Sequence, residues 1–219
     1  MRKPSGSLKE QVYDKETINQ GALQHLRKWY VQTAAKERIL QLLFYAPLEE
    51  FALSEIASYA QVSKSTASDV IQELQQEEYV TLIKHPLLWR IQANYGNLHF
   101  KQEKILYNLS LIFRSGLVDY LDRKFRHPKA IILFGSFRKG EDTLNSDIDI
   151  AIEDDVVQKT TGLKIQELEK FAKDIGKEFE ENIGREIKIH LFNKKTVDLN
   201  LFNSIANGIV LSGFLEVKK

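Results

Sequence analysis

The stretch that most constrains this chain is LFGSFRKGEDTLNSDIDIAI, Leu133 to Ile152. The apolar run Ala130 to Phe134 reads as a buried strand that ends in Gly135-Ser136. About ten mostly polar residues follow, and then Asp147 and Asp149 stand one residue apart on a second predicted strand. Alternate strand residues face the same side, so the two carboxylates point together while Ile148, Ile150 and Ile152 turn toward a core. Like charges so placed repel unless a cation sits between them. Mg²⁺ takes oxygen ligands, commonly one or two carboxylates plus substrate phosphates. The pair is therefore expected to hold Mg²⁺ (or Mn²⁺) with a nucleoside triphosphate, as substrate or ligand, and to be the catalytic pair of any chemistry done here. Gly135 allows close backbone approach at the strand end. Ser136 offers a hydroxyl and free N–H groups to a phosphate, and Arg138 and Lys139 lie where cations would neutralise its remaining charge.

The alternation continues downstream. A predicted amphipathic helix carries Ile165, Leu168, Phe171, Ala172, Ile175 and Phe179; the strand EIKIHLF follows, and then a helix from Val197 to Ala206 ends at Gly208. Upstream, Ile105 to Leu121 describe one helix or a pair. Zero cysteines exclude disulfides, thiolate metal sites and cysteine nucleophiles. No apolar run approaches the roughly 20 residues of a membrane span, so a cytoplasmic protein without membrane contact is expected. The 31 Lys and Arg nearly balance the 30 Asp and Glu, so nucleic-acid affinity must come from local patches.

Residues 31–96 show a different pattern. Ile39, Leu40, Leu42 and Leu43 recur at helical spacing until Pro47. A short helix follows around Ile56, Ala57 and Ala60, with Ser54 as its expected N-cap. A longer helix starts near Ser63 and buries Ala67, Val70, Ile71 and Leu74; the apolar stretches Tyr79–Ile83 and Leu87–Ile91 then flank a turn. This order resembles a winged helix-turn-helix, and VSKSTASDVIQEL resembles its recognition helix. The resemblance implies DNA binding through Lys64, Ser65, Thr66, Ser68 and Gln72, with Lys84 and Arg90 at the wing. The alternative for this unit is a helical module used for protein contacts or for a homodimer, since its exposed helix face carries one Lys and one Asp.

FGS, a polar stretch and SDIDIAI together resemble the signature of the nucleotidyltransferase superfamily that includes DNA polymerase beta, most closely its minimal members. LFNSIANGIVLSG resembles their closing helix and strand. The resemblance implies a short mixed sheet flanked by helices, NTP and Mg²⁺ binding, and transfer of a nucleotidyl group to a hydroxyl. The expected fold class is α+β or α/β: an arm or helix over 1–30, a winged helix-turn-helix over 31–96, a helical linker over 97–129 and a nucleotidyltransferase-like domain over 130–219. One departure stands out. Active members carry a third carboxylate on a neighbouring strand, and in GREIKIHLF that place is taken by Lys188. Lys188 either faces solvent or points at the aspartates; Glu186 or His190 would be the alternative ligands.

Three readings follow: a nucleotidyltransferase recruited to DNA, a DNA-binding transcription regulator whose catalytic domain is impaired, and an antitoxin-like interaction module with a protein partner.

Overall fold

The computed structural model describes residues 34–84, 89–157, 159–168, 179–181 and 183–217. The front unit opens with helix α1 (Ala35–Tyr45), which buries Ile39, Leu42 and Leu43 on one face before Pro47 prevents its continuation. Strand β1 (Glu50–Phe51) leads into α2 (Leu53–Tyr59). That helix begins two residues earlier than a Ser54 cap requires, with Ala52 at the N-cap. Glu55 Oε2 accepts the Ala52 N–H at 2.7 Å, so Ser54 lies inside the first turn. Helix α3 (Lys64–Gln76) is capped as its sequence suggests, with Ser63 Oγ accepting the Thr66 N–H at 3.0 Å, and it buries Ala67, Val70, Ile71 and Leu74. Strands β2 (Val80–Lys84) and β3 (Trp89–Ala93) form an antiparallel hairpin, and β1 adds to β3 on its other edge. His85, expected in the turn, and Leu87, expected to open the second apolar stretch, lie outside the described residues.

Helix α4 (Leu98–Arg114) starts where Asn97 Oδ1 accepts the Phe100 N–H at 2.9 Å. Its first turn gives Phe100 to the front core, and its last turns give Leu111 and Ile112 to a second core. The helix is thus a spine shared by both cores. Gly116, at φ 78°, turns the chain into α5 (Leu117–Lys124).

The second core surrounds a five-stranded sheet ordered β6-β7-β5-β4-β8, built from β4 (Ala130–Phe134), β5 (Ile148–Glu153), β6 (Thr161–Lys164), β7 (Ile187–Phe192) and β8 (Ile209–Gly213). Only β5 and β7 are parallel; the other neighbours are antiparallel. One sheet face packs Ile131, Leu133, Ile148, Ile150, Ile187 and Ile189 against α5, and the other packs Ile132, Phe134, Ala151 and Phe192 against Ile205 of helix α7 (Leu199–Ala206). Each such large apolar side chain contributes roughly 1.5–3 kcal/mol on burial, which makes β4, buried at all five positions, the anchor of this half. The short helix α6 (Gly135–Lys139) joins β4 to the loop before β5.

The expected helix from Ile165 to Phe179 is only partly visible. Ile165 opens a 3₁₀ turn, Ile165–Leu168, directly after the edge strand β6; Phe171, Ala172 and Ile175 lie outside the described residues. Phe179 packs against Tyr120, with ring centroids 5.2 Å apart. Among the described residues no helix is long and apolar enough to cross a membrane.

Candidate functional site

Sheet register brings the singled-out residues of the second half together. Phe134 at the end of β4 lies opposite Asp149, and Asp149 lies opposite Lys188 on the parallel strand β7. Asp147 immediately precedes β5, and His190 stands one pleat beyond Lys188 on the same face. The Lys188 ammonium donates to Asp147 Oδ2. His190 Nε2 lies 3.0 Å from Asp149 Oδ1, and its ring meets Phe134 edge-on at 5.1 Å. Each carboxylate is therefore already matched with a basic group from the neighbouring strand. The hydrogen bond from Lys188 to Asp147, reinforced by that carboxylate's charge, raises the Lys188 pKa above its ordinary value of 10.5 and keeps it cationic at neutral pH. Glu186, the other alternative ligand, is turned away toward Lys164, 3.0 Å distant.

The four side chains remain open to solvent: Lys188 is 41% exposed, Asp147 33%, Asp149 27% and His190 22%. Gly135 sits directly against the pair. Its φ of +76° lies in the left-handed region, and a Cβ there would come within 2.5 Å of Asp149 Oδ2. Only glycine fits both demands, and its lack of a side chain leaves backbone facing the carboxylate. Ser136 is half-buried in the first turn of α6. Arg138 donates to the Asn207 carbonyl at the end of α7, while Lys139 is exposed. Of the two cations expected to meet phosphate, one is thus engaged with the chain itself.

The donor set can be tested against the expected metal. Two carboxylates on one edge of a sheet fit one hard divalent cation, provided that Lys188 leaves Asp147. They do not fit a two-cation centre, because the position facing Asp149 offers an ammonium and no oxygen. Among the described residues no group of three or more His, Asp or Glu side chains is arranged to hold a metal ion.

The loop from Gly140 to Ser146 delivers Asp147, and a buried polar cluster that sequence periodicity does not reveal holds it in place. Asn108 donates to Asp142 Oδ1 and to the Phe137 carbonyl, both at 2.8 Å, and Lys104 Nζ lies 3.1 Å from Asp142 Oδ2. Arg185 closes the cluster at 3.8 Å from Asp142. The one available signal is that Lys104 and Asn108 follow Phe100 at intervals of four, on a helix face that otherwise buries apolar residues.

The front unit presents its candidate interface on α3 and the hairpin. Lys64 and Ser65 are exposed, and Thr66, Ser68 and Gln72 are half-buried. Ser63 Oγ lies 2.7 Å from Ser65 Oγ and 2.8 Å from Thr66 Oγ1, while Gln72 Nε2 donates to the Ser68 carbonyl at 3.2 Å. Lys84 lies over the Trp89 ring at 4.6 Å, and Arg90 pairs with Glu50 at 2.5 Å. Lys64 is thus the exposed cation of this group for which no partner is seen among the described residues. A separate groove of about 250 Å³ between α1 and α4, bordered by Glu37, Phe44, Glu103 and Arg114, contains none of the site residues expected from the sequence.

Residues 116–213 match the family model described as Polymerase beta, Nucleotidyltransferase. The match spans α5 through β8, takes in the carboxylates, Gly135 and Lys188, and supports the nucleotidyltransferase superfamily for this stretch. A mixed sheet flanked by helices agrees with that assignment. No curated protein and no solved structure is similar enough to the chain to count as a match.

Proposed function

We propose that this protein is a DNA-binding regulator built from a winged helix-turn-helix and a nucleotidyltransferase-type domain that keeps a nucleotide cradle without two-cation chemistry. The observation that carries the reading is the Lys188 ammonium on Asp147, at the strand position facing Asp149, with His190 on the other carboxylate. In a two-metal site the ions stabilise both the attacking and the leaving oxygen. Here one positive charge is fixed in the chain and can offset charge on a bound polyphosphate, but it offers no coordination site to an attacking hydroxyl. Gly135 and Ser136 supply the close backbone approach for phosphate, and Lys139 supplies a mobile cation. The exposed face of α3, led by Lys64, Ser65 and Gln72, is the element proposed to meet duplex DNA; Lys84 and Arg90 would act from the hairpin.

The test is paired. Incubation with labelled NTPs, Mg²⁺ or Mn²⁺, and DNA, RNA or protein acceptors should give no transfer above the background of Asp147→Asn. A gel shift on duplex DNA should appear at low salt, fade as salt rises, and weaken in Lys64→Ala. Transfer abolished by Asp147→Asn would overturn the regulator reading.

A second reading, a working nucleotidyltransferase, is favoured by the exposure of the pair. Surface ion pairs are worth about 0–1 kcal/mol, so a metal–nucleotide complex could displace Lys188 at little cost. Asp147 and Asp149 would then hold one Mg²⁺, which would supply Lewis-acid stabilisation of phosphate charge when bound, while Gly135 and Ser136 orient the phosphates. A small helical protein partner or a second copy of the chain would be read from the mass of the purified complex in solution.

A further inference from the structure

Between the two cores lies a polar cluster that touches neither the carboxylates nor the exposed face of α3. Lys104, Asp142 and Arg185 are 0%, 1% and 5% exposed, and burying three charged side chains costs free energy that pairing only partly offsets. Arg185 is the node. Its Nη2 donates to the Tyr45 carbonyl at 2.7 Å, its Nη1 to the Leu144 carbonyl at 3.2 Å, and its guanidinium stacks on the Tyr45 ring at 4.0 Å. Tyr45 OH in turn donates to the Gly184 carbonyl at 3.3 Å.

The positions of these partners in the chain give the cluster its significance. Tyr45 ends α1 of the front unit, Leu144 comes three residues before Asp147, and Arg185 itself comes three residues before Lys188. One side chain thus joins the front unit to both segments that carry the Asp147–Lys188 pair. The Ile148 N–H donates to the Glu186 carbonyl at 2.9 Å, so a shift in the segment after Arg185 also moves the start of β5. Asp142 Oδ2 lies 3.8 Å from Arg185 Nη2, the nitrogen that donates to Tyr45, and Asp142 is anchored to α4 through Asn108 and Lys104.

We propose that Arg185 is a positioning residue: it seats the Lys188 ammonium on Asp147, and the front unit sets that seating through Tyr45. The inference rests on the reading of Lys188 as the charge that stands where a divalent cation would lie. Loosening Arg185 frees Lys188 and opens Asp147 to a cation, so the carboxylate pair answers to the position of the front unit.

The experiment measures Mn²⁺ affinity of the full chain by calorimetry and by electron paramagnetic resonance. Lys188→Ala should tighten Mn²⁺ binding about fivefold or more, because an attractive carboxylate pair loses its fixed counter-ion. Arg185→Met and Tyr45→Leu should each tighten it by a comparable factor, Arg185→Lys, which keeps the charge but loses the two-nitrogen grip and the ring stack, should tighten it less than Arg185→Met, and Arg185→Met in a Lys188→Ala background should add nothing. A purely structural role would lower the melting temperature without tightening Mn²⁺. If Arg185→Met does not fold, the isosteric Asp142→Asn carries the same expectation. Wild-type Mn²⁺ affinity in the Arg185, Asp142 and Tyr45 variants, alongside tighter binding in Lys188→Ala, would overturn the positioning role alone. A gain in Arg185→Met without one in Tyr45→Leu would overturn the link to the front unit. Unchanged affinity in Lys188→Ala would bring down the reading of Lys188 together with this proposal.

Discussion

At the scale of single residues, charge placement matters more than bond strength. The Lys188–Asp147 pair is partly exposed, so replacing Lys188 with Met should change unfolding free energy by less than about 1 kcal/mol in a urea titration. The effect of Lys188 is to decide what else can bind. Gly135 is the opposite case. In Gly135→Ala the new Cβ meets Asp149 Oδ2 in a left-handed backbone conformation, which should cost about 1–3 kcal/mol of stability and remove nucleotide binding measured by calorimetry. Lys104 makes a pH-dependent contribution. Burial pushes its pKa down from 10.5 to about 8, against the raising effect of Asp142. Between about 8 and 10.5 the unfolded chain therefore binds more protons at this residue than the folded one, and stability rises with pH across that window. Below it both states are protonated and the full cost of burying the charge is present. The stability of wild type minus that of Lys104→Met, from denaturation at pH 7 and pH 10, should accordingly increase toward pH 10; a flat or falling difference would show that the ammonium is not disfavoured.

At the scale of elements, local rules succeed where burial is one-sided or complete. Helix α3 was legible in both its cap and its buried face, and Ser63→Ala should cost about 1 kcal/mol in thermal unfolding. Strands β4 and β5 were legible because an uninterrupted apolar run and a strict alternation leave few other options, and Ile150→Ala should cost roughly 2–5 kcal/mol. Other features were not legible, for physical reasons. TGLK, the edge strand β6, has one apolar side chain, and its pairing comes entirely from β7, so no periodicity announces it. The Ser54 cap gave way to an earlier start, because the Glu55 carboxylate accepts the Ala52 N–H and the Ile56 N–H already bonds to the Ala52 carbonyl, leaving Ser54 inside the helix. Of the candidate site, the carboxylates and Gly135 could be read from spacing, and the odd position of Lys188 from the resemblance to the nucleotidyltransferase superfamily. The cluster of Lys104, Asn108, Asp142 and Arg185 could not, since its contacts join residues 34 to 43 positions apart that only the fold brings together.

At the scale of the whole molecule, α4 makes the two halves interdependent. The matched stretch begins at residue 116, yet the loop carrying the carboxylates is held by Lys104 and Asn108, and α4 packs so closely on Gly140 that a Cβ there would lie 2.8 Å from the Lys101 carbonyl. A fragment of residues 116–219 should therefore lack cooperative unfolding and dispersed amide signals, while the full chain should melt in one transition. A well-folded fragment would show that α4 is dispensable.

In the proposed function a chain-borne cation, the Lys188 ammonium, holds the place of the second metal. That claim is tested most directly by a crystal structure of the full chain soaked with ATP and Mn²⁺, with metal located by anomalous scattering. No more than one Mn²⁺ is expected beside Asp147 and Asp149, and only where Lys188 has left Asp147. Two anomalous peaks bridging the carboxylates, with Lys188 swung out to solvent, would contradict it.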